Sequence, residues 1–401
     1  MEHEGPPPVS RPLPVNATPV NDDASRPQFD LVTALQVAGR NIELQLSPER
    51  PTFTFGGAVS PEVDVTLDGE GVSRLHAILQ RKGLKLRVLD QRSTNGTYFH
   101  GRYDPDFEIA AGDVFEVTQR IKLIALDEHL RLLRPRLQWV LGLRAHAQVD
   151  QALEDIASNA PLLLVGPAYC EQRALAEEIH RRSSFRRRDF VTAPYRFNTR
   201  EEQDAKLEHA ARGTLYLDLA AADPDEESPP ARFISRLFDG EIRPIVVAPT
   251  EEHAQKMLGS YALGLRTIRL PPLSARADDI PRLLDALILK MGRGEGEILP
   301  IAALGEMNVA GLQAYAWPDN FEDLRRSVPR LHAVLSNGLR LRAAARSLGR
   351  AVSTLVEALA RINVHVKRAE DEHDDPDENR DEGRAPTDED CSVTPLDPPS
   401  T

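Results

Sequence analysis

Residues 162–180 read LLLVGPAYCEQRALAEEIH: an apolar run, a glycine at Gly166, a short linker, and a helical pattern ending in Ile179-His180. That is the outline of a phosphate-binding loop. Such a loop works because glycines let backbone N–H groups approach the phosphates and a lysine neutralises the outer oxygens. Where a glycine and the lysine belong, this chain has Glu171 and Gln172. A carboxylate at that point repels a nucleotide. The stretch is a nucleotide site, a broken one, or an accident, and only the elements around it can decide.

From about Phe29 to Leu126 the chain shows short apolar runs punctuated by turns: FDLVTALQV, NIELQL, TFTFG, VDVTL, HAILQ, LKLRVLD, DVFEV and IKLIAL. This spacing predicts a β-sandwich over 29–128, with its loops free for recognition. Asp127 to Gln138 reads as a linker. Apolar runs then alternate with helical patterns (QALEDIA, PLLLVG, QRALAEEIHRR, GTLYLDLA, RFISRLF, RPIVVAPT, DIPRLLDALILKM), which implies a parallel sheet with helices on both faces. A phosphate loop is expected after the first strand of such a sheet, where residues 162–180 stand.

Composition narrows the classes. At 401 residues and 41% hydrophobic content the chain can bury two or three cores. No apolar stretch approaches a membrane span, and the opening MEHEGPPPVS has neither the basic start nor the apolar run of a signal peptide. A cytoplasmic protein with no membrane partner is expected. Two cysteines, Cys170 and Cys391, are too few for a disulfide framework or a cysteine-built zinc site. The net charge of −13 is concentrated at one end, because 369–401 holds 13 acidic against 2 basic residues. Residues 367–401 are therefore expected to be a disordered acidic tail, and 1–28, with 7 prolines, a second disordered arm.

Two loops in the first block, Gly71-Val72-Ser73-Arg74-Leu75-His76 and Ser93-Thr94-Asn95-Gly96-Thr97, resemble the Ser-Arg-x-His and Ser-x-Asn-Gly-Thr signatures of forkhead-associated (FHA) domains. These are β-sandwiches that bind phosphothreonine peptides at one end. The resemblance implies that Ser73 donates its hydroxyl to the phosphate, Arg74 adds charge, Thr94 lines the site, and Asn95 bonds the peptide backbone. A phosphothreonine carries about two negative charges and needs such convergent donors. His76 is expected to brace the loop, and Gly96 to supply a positive φ. The family's early Gly-Arg aligns with Gly56-Gly57, so its arginine is absent, and its later Asn-Gly becomes His100-Gly101.

The second block resembles the AAA+ domain of sigma-54-dependent transcription activators over roughly Gln138 to Leu335, with the landmarks GTLYLDLA, IRLPPLSARADDIP and YAWPDNFEDL in order. Residues 138–290 are expected to form its α/β part and 291–335 its helical lid. Against the family pattern, Tyr169 and Glu171 replace loop glycines and Gln172 the lysine. Asp218 is the remaining magnesium candidate, but Leu219 stands where a glutamate should polarise water. Ala262 falls at the arginine finger and Glu322 at the lid's sensor arginine. The sigma-contacting loop is missing from PYRFNTREEQDAKLEHAAR. A pseudo-ATPase is expected, with Gly166, Gln172, Asp218 and Leu219 as its degenerate site and no cofactor.

LRLRAAARSLGRAVSTLVEALARINV, within 336–366, resembles the Fis-type helix-turn-helix that ends such activators. Arg350, Ser353 and Thr354 are the candidate DNA contacts, with Arg346 and Arg361 near them, while Val356, Glu357 and Ala358 weaken the recognition helix. A hairpin kept for packing or self-association is the competing reading. The run HRRSSFRRRDF is a solvated helix end or a receptor for an acidic partner, the chain's own tail included. Thr387 and Thr394, each followed at +3 by aspartate, could supply the FHA-like site with an internal ligand. The sequence thus implies a cytoplasmic signalling adaptor that reads a phosphothreonine-containing protein, with a DNA-binding, ATP-independent regulator as the alternative.

Overall fold

The computed structural model describes residues 30–57, 63–196, 199–223, 228–292 and 298–366. The proline-rich arm and the acidic tail, with Thr387 and Thr394, lie outside the described residues.

Eleven strands precede the first helix among the described residues: β1 (Ala34–Val37), β2 (Ile42–Gln45), β3 (Thr52–Gly56), β4 (Val65–Thr66), β5 (Ala77–Lys82), β6 (Lys85–Asp90), β7 (Thr97–Phe99), β8 (Arg102–Tyr103), β9 (Asp106–Ile109), β10 (Val114–Val117) and β11 (Ile121–Leu126). They form two sheets, β2-β1-β11-β10-β7-β8 and β4-β3-β5-β6-β9. Alternate residues point inward: in β9 Phe107 and Ile109 are buried, in β10 Phe115 and Val117. Phe107 stacks on Phe99 of the facing sheet at 4.8 Å and meets Phe115 edge-on at 5.8 Å, which ties the layers together. This is the expected sandwich. The apolar runs missed β7, β8 and β9, because TYF, RY and DFEI are short and bury few residues. The β7–β8 turn keeps its shape despite the loss of Asn-Gly: His100 and Gly101 have φ of 51° and 73°, as a type I′ turn requires.

The rest of the chain adds α1 (Glu128–Leu141), α2 (His146–Ala157), β12 (Leu162–Val165), α3 (Gln172–Arg182), β13 (Phe190–Ala193), α4 (Arg200–His209), β14 (Thr214–Asp218), α5 (Ala231–Leu237), β15 (Arg243–Ala248), α6 (Glu251–Leu258), β16 (Arg266–Arg269), α7 (Ile280–Met291), α8 (Glu306–Ala314), α9 (Asn320–Ser336), α10 (Leu341–Ser347) and α11 (Val352–Ala360). The sheet is parallel, in the order β13-β14-β15-β12-β16. Its strand β15 is buried along its whole length, as an inner strand covered on both faces must be. The chain leaves β12 and crosses to the far edge, so the loop after β12 opens at the switch point where α/β sheets take ligands.

Asp127 to Gln138 is not an extended linker. It forms most of α1, whose first turn is capped by Asp127 accepting the Leu130 N–H at 2.8 Å. Pro135 and the many charges of EHLRLLRPRLQWVL hid a stripe of Leu130, Leu133, Leu137 and Leu141 that faces the core. These leucines join the sandwich and β12 in one continuous apolar cluster. A buried polar clamp lies alongside: Arg134 pairs with Asp150 at 3.2 Å and reaches Asn41 Oδ1 at 3.2 Å, while the Gly39 N–H donates to Asp150 at 2.8 Å. The sandwich and the α/β body are therefore packed together rather than loosely tethered.

The lid begins earlier than residue 291. The apolar face of α7 packs with α9, α10 and α11 in a separate core that includes Leu283, Ile288, Leu324, Leu331, Ala344 and Leu359. By packing, α7 belongs with the lid, and the C-terminal hairpin seals that same core. The arginine run is partly spoken for: Arg186 bonds Asp30 at 3.0 Å, and Arg181 and Arg182 pair with Glu178 at 2.7 and 2.8 Å.

Candidate functional sites

At one end of the sandwich the β4–β5 and β6–β7 loops meet. The hydroxyl of Ser73 accepts the Thr94 N–H at 3.0 Å and lies 3.4 Å from the Thr94 hydroxyl. The Asn95 amide donates to the Gly71 carbonyl at 2.8 Å. So the loop of Ser73 and that of Thr94 and Asn95, more than twenty residues apart in sequence, are brought together by side chain–backbone bonds. Thr94, Asn95 and Arg74 are exposed, and among the described residues the Arg74 guanidinium has no partner.

His76 holds this arrangement from beneath. It is fully buried; its Nδ1 accepts the Ser73 N–H at 3.2 Å and its Nε2 donates to the Gly96 carbonyl at 3.2 Å. Burial pushes its pKa below the usual histidine value, with the Gly96 carbonyl and Asp90 pulling the other way. A neutral ring that accepts at one nitrogen and donates at the other braces both loops. Ser93 adds a turn of its own, donating to Asp90 at 2.6 Å and accepting the Gly96 N–H at 3.0 Å. Gly96 has φ of 73°, as the turn requires.

The absent arginine has a steric counterpart. The Gly57 N–H donates to the Ser73 carbonyl at 2.9 Å, and a Cβ on Gly57 would sit 2.9 Å from the Val72 carbonyl oxygen. A Cβ on Gly56 would fall 1.8 Å from the Arg74 carbonyl oxygen. The two glycines let β3 run close beneath the Ser73 loop. Beside the loops lies a polar groove of about 680 Å³, lined by Thr94 and Asn95 together with Glu70, Tyr98, Tyr103 and Arg120. The tyrosines and Arg120 belong to no motif in the sequence; the pairing of β7 with β8 and the β10–β11 turn bring Tyr103 and Arg120 to this groove.

In the α/β body the loop after β12 leads directly into α3. Tyr169 and Glu171 hold positive φ of 62° and 68°, the conformation glycine would adopt without strain. The buried Gln172 amide turns back into the loop, donating to the carbonyls of Pro167 at 2.5 Å and Gly166 at 3.4 Å. Glu171 is not a free charge: its carboxylate pairs with Arg136 of α1 through one oxygen and Arg325 of α9 through the other. Neither arginine was singled out in the sequence. Arg325 lies one turn beyond Glu322, the sensor position, so no motif marks it.

The lid also touches the loop through Asn320, which donates to the Ala168 carbonyl at 3.0 Å and accepts the Leu273 N–H at 2.9 Å, and through the Phe321 N–H on the Tyr169 carbonyl at 3.2 Å. Asp218 is exposed at the end of β14, accepting the Ala220 N–H at 2.9 Å. Leu219 points away from it, fully buried in the apolar cluster with Leu217, Ala254 and Met257. Glu322 pairs along its own helix with Arg326 at 3.4 Å. Among the described residues no group of three or more His, Cys, Asp or Glu could hold a metal ion. Burial lifts the Cys170 thiol to about 11, which makes it an inert core residue.

At the C-terminal hairpin, Arg350 is exposed just before α11 and Ser353 and Thr354 are exposed in its first turn, while Leu355 and Leu359 face the core. Val356 and Glu357 share the outer face.

Residues 53–117 match the family model of the FHA domain, a span that contains both loops of the sandwich site. The chain is 28% identical over 214 residues to the nitrogen assimilation regulatory protein NtrX of Azorhizobium caulinodans, covering 45% of this chain and 46% of that protein. It is 26% identical over 211 residues to the DNA-binding transcriptional regulator NtrC of Azospirillum brasilense, covering 47% and 40%. A crystal structure of NtrX from Brucella abortus in complex with ATP aligns with 59% of this chain and 68% of that one, at 19% identity and a TM-score of 0.36. The chain spans less than half the length of the two curated relatives. No described helix is long and apolar enough to cross a membrane. The chain is thus a multidomain fusion of an FHA domain with a segment homologous to sigma-54-activator-type regulators.

Proposed function

We propose that the protein is a cytoplasmic regulatory adaptor that reads phosphothreonine on a partner protein through Ser73, Arg74, Thr94 and Asn95, and that its AAA+ frame serves as a scaffold without ATP hydrolysis. The observation that carries this reading is that Thr94 and Asn95 line one polar groove and that the Ser73 hydroxyl lies beside it, 3.4 Å from the Thr94 hydroxyl. Such donors suit a dianionic phosphate and the adjoining peptide backbone. The second half of the reading is supported by Gln172 filling its own loop and by Leu219 lying in the core. The test is calorimetry on the full chain with a phosphothreonine peptide library. Binding that vanishes on dephosphorylation supports the reading; equal affinity for both forms defeats it.

A second reading, a DNA-binding regulator that works without ATP, is favoured by the exposed Arg350, Ser353 and Thr354 and by the relative named a DNA-binding transcriptional regulator. Contacts to phosphates would make such binding steeply salt-dependent. A sequence-specific footprint at physiological salt would place this reading first.

A further inference from the structure

The loop that would cradle a nucleotide is closed by the chain itself. Arg136 comes from the helix that joins the two bodies, and Arg325 from the second turn of the lid helix α9. Both guanidiniums converge on the Glu171 carboxylate, whose side chain is only 3% exposed. Two cations brought together from distant parts of the chain repel unless an anion lies between them. Gln172 meanwhile occupies the loop interior, and Asn320 and Phe321 bond the loop carbonyls directly.

We propose that the Glu171 carboxylate is a resident anion that takes the place of a bound phosphate between Arg136 and Arg325, clamping the lid on the loop whether or not nucleotide is present. This rests on the reading of the AAA+ frame as non-hydrolysing, and it adds what replaces the nucleotide. The anion that holds the lid is then part of the chain, and the hold itself is a pair of ion pairs. The arginine pair is an anion site already filled.

The test is hydrogen exchange across 320–336 in the full chain, with and without inorganic pyrophosphate. In the parent protein exchange is expected to be slow and unchanged by pyrophosphate. Glu171→Gln keeps the shape of the side chain but removes its charge, and exchange is expected to rise roughly tenfold or more. Pyrophosphate at about millimolar concentration then slows it again by bridging the two freed guanidiniums. Arg325→Met loosens the lid from its more exposed side and leaves the loop intact, but gains no response to pyrophosphate, because one guanidinium remains. If Glu171→Gln does not fold, Arg325→Met against the parent protein carries the test. The proposal is overturned by unchanged exchange in the variants, by a pyrophosphate response in the parent, or by a loosened Glu171→Gln lid that ignores pyrophosphate. ATP turnover by the parent chain would instead overturn the non-hydrolysing reading, so the two failures are separable.

Discussion

Replacing Ser73 by alanine separates recognition from folding at the sandwich site. The hydroxyl accepts the Thr94 N–H at 3.0 Å, and Thr94 is exposed, so water can take over that bond when the hydroxyl is removed. A substitution of this kind shifts stability by no more than about 0.5 kcal/mol. Binding is different, because in the proposed function the same hydroxyl donates to a charged phosphate. A hydrogen bond to a charged group contributes about 1.5–3 kcal/mol, which is about a 10- to 150-fold loss of affinity. Ser73→Ala is therefore expected to weaken phosphopeptide binding by that factor in calorimetry while leaving the thermal melt almost unmoved. His76→Ala gives the contrasting result: the buried ring joins Ser73 to Gly96, so both the melt and the affinity fall. An affinity for Ser73→Ala within about twofold of the parent would refute the role of the hydroxyl.

Gly56→Ala puts a methyl 1.8 Å from the Arg74 carbonyl oxygen, and a drop in denaturant midpoint together with loss of phosphopeptide binding is expected. The pKa of His76 is lowered by burial, so the unfolded chain binds the proton more tightly. Its stability contribution is full above about pH 6.5 and is lost as pH falls toward the depressed folded value. Melts recorded from neutral to acid pH should flatten in His76→Gln, and an unchanged slope would contradict this. Leu219→Glu, made to restore a catalytic carboxylate, buries a charge in an apolar cluster; it is expected to lower stability by about 3 kcal/mol or more and to yield no ATPase activity in a phosphate-release assay.

Motifs and periodicity determined the fold classes and the first set of site residues. Two loops with paired signatures, and a strand-loop-helix outline at 162–180, are local patterns, and local patterns survive in one dimension. The alternation of β10 and the run of β15 follow from burial on one face or two. Tertiary structure decided the rest. Asp127 to Gln138 became a core helix because its leucines found apolar partners on both bodies, which Pro135 and its charges concealed. The groove beside Asn95 takes Tyr98 and Tyr103 from the paired strands β7 and β8 and Arg120 from the β10–β11 turn. Glu171, read in sequence as a charge that repels a nucleotide, is paired by Arg136 and Arg325, 35 and 154 residues away along the chain. No window of sequence contains that pairing, because it exists only where the lid folds back over the loop.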